Sequence, residues 1–115
     1  MEGLFSVKPR GEFTVVEFQT VSLMNAAELE RIGKALSSLA DNDAAGRIVV
    51  DFTPVQYMAS QAIGIIVALH KKTAARKGGK LVLCGVSPQL LQLFKITRMD
   101  RLLKIVKDQK EATGV

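Results

Sequence analysis

Few residues of this chain could support catalysis. The single histidine, His70, lies in a basic helical segment, and the single cysteine, Cys84, lies in an apolar strand-like run. A Cys–His pair stays open from sequence, although a small buried thiol is the commoner role of such a cysteine. Asp41 and Asp43 belong to a polar loop and Asp51 to a strand end, so no catalytic carboxylate pair is expected. The sequence contains no Cys/His cluster and no glycine-rich phosphate loop, so we expect neither an enzyme nor a cofactor or metal.

Ser60 is the polar residue with the most informative position. It follows a strand and a short loop and precedes a long apolar helical segment. In a parallel α/β sheet, binding sites collect at such strand–loop–helix junctions. Ser60 is also a predicted N-cap, whose side chain would accept a backbone N–H bond worth about 1 kcal/mol. From the residues alone, that capping role is the simpler interpretation.

The strands that must position this junction are short. Two β-prone runs separated by a turn signal predict an opening hairpin, and two runs without alternation are typical of strands covered on both faces. A short final strand precedes a polar tail from Lys107. The predicted strands are Leu4–Lys8, Phe13–Phe18, Arg47–Phe52, Lys80–Gly85 and Leu103–Val106.

Three helices are predicted between these strands. Asn25 is the N-cap of the first, because Glu28 completes a capping box. The second begins near Ser60 and ends before two glycines, and Ser87 with Pro88 starts the third. The predicted fold class is therefore α/β, in the order β-β-α-β-α-β-α-β, with a mixed, mainly parallel sheet. At 115 residues, we expect one domain over residues 1–115.

Charge is distributed unevenly. Residues 1–58 carry five Lys/Arg and eight Asp/Glu (−3), whereas residues 59–115 carry eleven and three (+8). The basic half leaves open binding to an anionic ligand or nucleic acid, but without interleaved aromatics nucleic acid is not the expected partner. The basic candidates are Lys71, Lys72, Arg76, Lys77 and Lys80. We expect a cytoplasmic protein, because no secretion signal or membrane-length apolar run is present and the one cysteine suits a reducing compartment.

Four segments, in this order, resemble the STAS domain family of anti-sigma-factor antagonists. The first two are the strand Ile48–Phe52 and the junction Val55-x-Tyr57-Met58-x-Ser60-x-x-Ile63-Gly64, which is similar to the family's signature around its regulatory serine. The others are the strand segment Gly79–Leu83 with Gly85 and Ser87-Pro88, and the closing segment Leu93–Leu102. The resemblance implies the STAS-like fold just described.

The resemblance also implies a function for Ser60. In anti-sigma-factor antagonists of this type, the matching serine is phosphorylated by the anti-sigma factor, which is a serine kinase, and a PP2C-type phosphatase removes the phosphate. The unmodified antagonist sequesters the kinase. We therefore expect Ser60 to be the phosphorylation site, without a catalytic role. The expected partner-binding residues are Met58, Ala59, Ser60, Gln61, Ile63, Gly64 and Ser22.

A second STAS function stays open. Ala59 and Ser22 stand where the family often has aspartates, and Gln61 stands where Ser or Thr is common. These residues favour a phosphorylation-independent scaffold or a subunit of a transport ATPase. The oligomeric state and the identity of the partner are not determined by the sequence.

Overall fold

The fold is described from a computed structural model that covers residues 4–42 and 46–114. Its strands are β1 (Phe5–Arg10), β2 (Phe13–Phe18), β3 (Ser22–Leu23), β4 (Arg47–Asp51), β5 (Tyr57–Met58), β6 (Lys80–Cys84) and β7 (Lys104–Val106). Its helices are α1 (Ala26–Asn42), α2 (Ser60–Ala74), α3 (Pro88–Ile96), α4 (Met99–Leu102) and α5 (Gln109–Thr113).

A five-stranded sheet in the order β1-β2-β4-β6-β7 organises these elements. β1 and β2 form an antiparallel hairpin, and its turn places Gly11 at φ 62°, a value that glycine adopts without strain. The other pairings, β2–β4, β4–β6 and β6–β7, are parallel. The predicted class, a mixed and mainly parallel sheet, is confirmed.

The two faces of the sheet are covered very differently. Alternation along β2 sends Val16 and Phe18 into the main core, while Phe13 and Val15 enter a smaller cluster on the opposite face. α1, α2 and α3 cover the main core with Leu29, Ile32, Leu36, Ala62, Ile66, Leu69, Leu90 and Phe94. The opposite face is covered by α5, whose Ala112 is fully buried.

The C-terminal segment differs from the prediction. Instead of a polar tail from Lys107, residues 109–113 form α5. Asp108 caps this helix by accepting a hydrogen bond from the Glu111 N–H at 2.9 Å. α5 leaves no periodic signal in the sequence, because a single apolar side chain, Ala112, makes its contact with the core.

Two other local features also differ. The segment after β4 contains β5, which pairs with β3 in a separate two-stranded parallel sheet. α1 extends through Asn42, so Asp41 is helical rather than part of a loop. Residues 43–45 of the predicted loop lie outside the described residues. Gly46, at the end of that loop, is described.

Candidate functional site

Ser60 lies at the carboxyl edge of the main sheet, as the first residue of α2. The prediction that Ser60 is the N-cap is wrong, because Ala59 holds that position with extended angles (φ −78°, ψ 158°). The Ala59 N–H donates to the Leu23 carbonyl at 2.9 Å. This bond continues the β3–β5 pairing through Ala59, and the helix begins only after it.

The Ser60 hydroxyl is therefore not used by the fold. Ser60 is exposed, and its side chain makes no hydrogen bond within residues 4–42 and 46–114. The first N–H groups of any helix lack acceptors inside that helix. Here the Ala62 N–H bonds to the Ala59 carbonyl at 2.9 Å. Ser60 and Gln61 are the first two residues of α2, so their N–H groups have no acceptor within the helix. The arrangement is an accessible hydroxyl at the positive end of a helix dipole.

The β3–β5 pair brings a second loop beside Ser60. Ser22 is paired with Tyr57, and the Ser22 N–H donates to the Thr20 Oγ1 at 3.3 Å. The Gln61 Nε2 donates to the Ala26 carbonyl at 3.4 Å, which joins the first turns of α1 and α2. The structure thus places Ser22 in the same region as Ser60 and Gln61, although Ser22 is far from them in sequence.

The remaining predicted partner-binding residues occupy different depths. Met58 is only 9% exposed and belongs to the main core, so it offers little surface to a partner. Ala59 and Ile63 are half-buried and pack against the same core. Gly64 is exposed, and a Cβ built there would meet no heavy atom within 4 Å.

Three exposed apolar side chains near Ser60 were missed by the sequence-based list of site residues. Val21 is 50% exposed, Met24 56% and Tyr57 58%. All three lie on or beside the β3–β5 pair. We call Val21, Met24, Tyr57 and Ser60 the serine face. In the sequence, Val21 and Met24 are apolar residues that flank Ser22 and Leu23. Their exposure depends on the pairing of β3 with β5, which the sequence does not show.

The Cys–His pair left open by the sequence does not form. His70 lies on α2, which covers the main core, whereas Cys84 is buried in the cluster beneath α5 on the opposite face of the sheet. Burial, with a smaller contribution from the Asp51 carboxylate, raises the pKa of the Cys84 thiol to about 12. A thiol in this environment is a poor nucleophile.

The basic candidates are partly engaged within the fold. The Lys72 ammonium bonds to the Asp41 Oδ1 at 2.8 Å, and the Arg76 guanidinium donates to the Ala40 carbonyl. Two of the five predicted cations therefore have intramolecular partners.

In the part of the chain that the structure describes, no group of His, Cys, Asp or Glu is arranged to hold a metal ion. No helix among those residues has the length and apolarity needed to cross a membrane.

Comparison with known proteins agrees with this architecture. The STAS domain model matches residues 7–112, and the chain belongs to the STAS domain family. A curated relative, the anti-sigma-B factor antagonist of Listeria monocytogenes, is 35% identical over 65 residues, which are 56% of this chain and 56% of the relative. The match thus spans about half the length of each protein.

Solved structures share the whole fold at low sequence identity. An anti-sigma-factor antagonist (STAS) domain protein from Planctomyces limnophilus superposes with a TM-score of 0.84 at 22% identity, over 94% of this chain and 92% of that one. SpoIIAA, a Bacillus cell fate determinant, in its phosphorylated form superposes with a TM-score of 0.72 at 19% identity, over 96% of each chain. At these identities the likeness establishes the fold.

Proposed function

We propose that this chain is an anti-sigma-factor antagonist whose serine face binds an anti-sigma factor with serine-kinase activity, and that phosphorylation of Ser60 ends this binding. The observation that carries the proposal is the exposed Ser60 hydroxyl, which makes no hydrogen bond within the described residues. A residue that the fold does not use is available for modification without loss of structure. The names of the Listeria relatives support the choice of partner.

The surroundings of Ser60 suit a protein partner. Val21, Met24 and Tyr57 are each at least half exposed, and such apolar side chains around a polar centre are typical of protein interfaces. The β3–β5 pairing holds this surface in place before binding, together with the adjacent backbone bond from the Gln56 N–H to the Val21 carbonyl at 2.8 Å. A preformed surface loses less conformational entropy when it binds.

Phosphorylation at this position would change the interface more than the fold. A phosphate adds a charge of about −1.5 to −2 and is stabilised locally by the N–H groups at the helix entrance. Its charge would nevertheless be desolvated against a partner built around a hydroxyl, at a cost of several kcal/mol. Because about 1.4 kcal/mol changes affinity tenfold, one phosphate is sufficient to end binding.

The proposal is tested with the anti-sigma factors of the source organism and three variants of this chain. Ser60→Ala should bind like the wild type, and Ser60→Asp should bind at least about tenfold more weakly with an unchanged melting temperature. Gln92→Asp adds the same charge on an exposed turn of α3 and should bind normally. With ATP, phosphate should appear on the wild type and be absent from Ser60→Ala by mass mapping.

Equal binding by wild type and Ser60→Asp would remove Ser60 from the mechanism. Binding without any phosphate transfer would favour the phosphorylation-independent scaffold, which the absence of a carboxylate at Ala59 also favours. In that case Ala59→Asp tests whether the missing carboxylate alone prevents transfer. An ATPase of a transport system as the only captured partner would replace the sigma-factor pathway altogether.

A further inference from the structure

The corner between α3 and α4 carries the most exposed large apolar side chain among the described residues. Ile96, the last residue of α3, is 76% exposed, and Leu102, the last residue of α4, is 44% exposed. The other large residues of this corner turn inward, since Phe94 is fully buried and Leu103 is 5% exposed. Ile96 and Leu102 are therefore outside the core although the core lies directly beneath them.

The same corner is strongly basic. Lys95, Arg98 and Arg101 are exposed, and none of them forms an ion pair within residues 4–42 and 46–114. The single acidic residue of the corner is Asp100. Among the other described cations, some are paired with carboxylates, as Lys72 and Arg47 are, and others, such as Lys71 and Lys77, form no ion pair. The corner thus combines apolar side chains with unneutralised positive charge.

Arg98 occupies a backbone conformation that arginine does not favour. It follows the end of α3 with φ 62° and ψ 18°, and it is the one non-glycine residue with positive φ among the described residues. Glycine adopts this conformation without the steric cost that a Cβ imposes. A non-glycine residue in this conformation is a candidate for a functional role.

This corner is remote from the serine face. β6 runs towards the carboxyl edge of the sheet, and α3 must run back, because β7 is parallel to β6 and starts at the amino edge. The end of α3 therefore lies at the amino edge, whereas Ser60 lies at the carboxyl edge. A partner on the corner and a partner on the serine face occupy opposite ends of the molecule.

We propose that residues 95–102 form a second docking surface, which binds an acidic protein segment that carries an apolar side chain. The unpaired cations complement such a segment in charge, and Ile96 with Leu102 supplies the apolar contact. A lipid surface is less well matched, because α4 has four residues and cannot present the apolar face of an interfacial helix. Nucleic acid is less well matched because residues 95–102 contain no aromatic side chain for stacking.

The test uses a synthetic probe: a fluorescein-labelled peptide of glutamates with one central phenylalanine. Anisotropy should show binding to the full chain at low ionic strength, and weaker binding at about 0.15 M salt. Ile96→Ser and Arg98→Gly should each weaken binding by about fivefold or more, a size typical of interface anchors. Val7→Ser and Arg31→Ala are the matched controls on exposed residues elsewhere, and both should bind like the wild type.

Arg98→Gly separates docking from folding. Because glycine removes the steric cost at this φ, the melting temperature should rise by about 2–5 °C while peptide binding falls. A higher melting temperature with unchanged binding would show that Arg98 has no docking role and would overturn the proposal. So would equal binding of a peptide in which serine replaces the phenylalanine, because charge alone would then explain it.

Three further arms address the alternatives. Vesicles of phosphatidylglycerol and phosphatidylcholine and a uridine oligonucleotide are the alternative ligands, and Ile96→Ser should not change the binding of either to the chain. If Ile96→Ser weakened the binding of one of them and the peptide did not bind, that ligand would replace the acidic segment as the occupant. Ser60→Asp should leave peptide binding unchanged because the two surfaces lie at opposite edges. Loss of peptide binding in Ser60→Asp would refute a separate surface, while the proposed role of Ser60 would be unaffected.

Discussion

Gln109 should be the main polar attachment of α5 to the sheet. Its Nε2 carries two hydrogens, one donated to the Glu17 carboxylate and one to the Asp51 Oδ2 at 2.7 Å. Glu17 and Asp51 are register partners on β2 and β4, so a single amide bridges two like charges on adjacent strands. We predict that Gln109→Ala destabilises the protein by loosening α5 and leaving these carboxylates to repel each other.

The magnitude follows from the number and exposure of these bonds. A hydrogen bond to a charged group contributes about 1.5–3 kcal/mol. Three are lost, because the Arg10 Nη1 also donates to the Gln109 Oε1 at 3.0 Å, although that bond is exposed to solvent. The Glu17 side chain is 28% exposed, so water replaces part of what the amide supplied. We therefore expect a loss of about 1.5–3 kcal/mol in all, which corresponds to a shift of about 1–2 M in the urea midpoint.

The assay is urea unfolding followed by far-ultraviolet circular dichroism, because the chain has no tryptophan and its one tyrosine, Tyr57, is exposed in the native state. Gln92→Ala is the matched control: Gln92 is exposed on α3 and makes no hydrogen bond through its side chain within the described residues. It should change the free energy of unfolding by less than about 0.5 kcal/mol.

The loss of stability caused by Gln109→Ala should also depend on pH. The Gln109 hydrogen bond, followed by the Lys8 contact, lowers the pKa of Glu17 below its ordinary value of 4.5. A lowered folded-state pKa stabilises the protein above the unfolded-state value, and this contribution is lost as pH falls through the folded-state pKa. The difference between wild type and Gln109→Ala should be full at neutral pH and shrink below 4.5. A difference that is the same at both pH values, or no larger than that of Gln92→Ala, would refute this reasoning.

Two other predictions concern residues on either side of the end of β6. Cys84 is fully buried with a pKa raised to about 12, so Ellman's reagent should label it only as fast as the protein opens; rapid labelling of the native protein would contradict this burial. Gly85 has φ 67°, and a Cβ there would collide with the Thr53 hydroxyl, so Gly85→Ala should cost at least about 2 kcal/mol in thermal or urea unfolding. Gly64→Ala, in a helix with open space around it, should instead stabilise by up to about 1 kcal/mol, and equal effects of the two changes would contradict the geometry.

Local chemistry in the sequence predicted the helix starts that side chains control. Asn25 accepts the Glu28 N–H at 2.9 Å, and Ser87 accepts the Leu90 N–H at 3.2 Å, both as capping patterns predict. The same pattern failed at Ser60, because the start of α2 depends on a bond from Ala59 to Leu23, which is distant in sequence. Capping residues predict a boundary only where no strand pairing competes for the preceding backbone.

The sequence by itself determined the α/β class, the order of the main elements and the candidate serine, because hydrophobic periodicity, turn residues and caps act over a few neighbouring positions. Tertiary structure decided which side chains surround that serine. It placed Met58 in the core and Val21, Met24 and Tyr57 at the surface, and it recruited α5 through one alanine and one glutamine. These outcomes depend on pairing between distant segments, whose register no local pattern encodes.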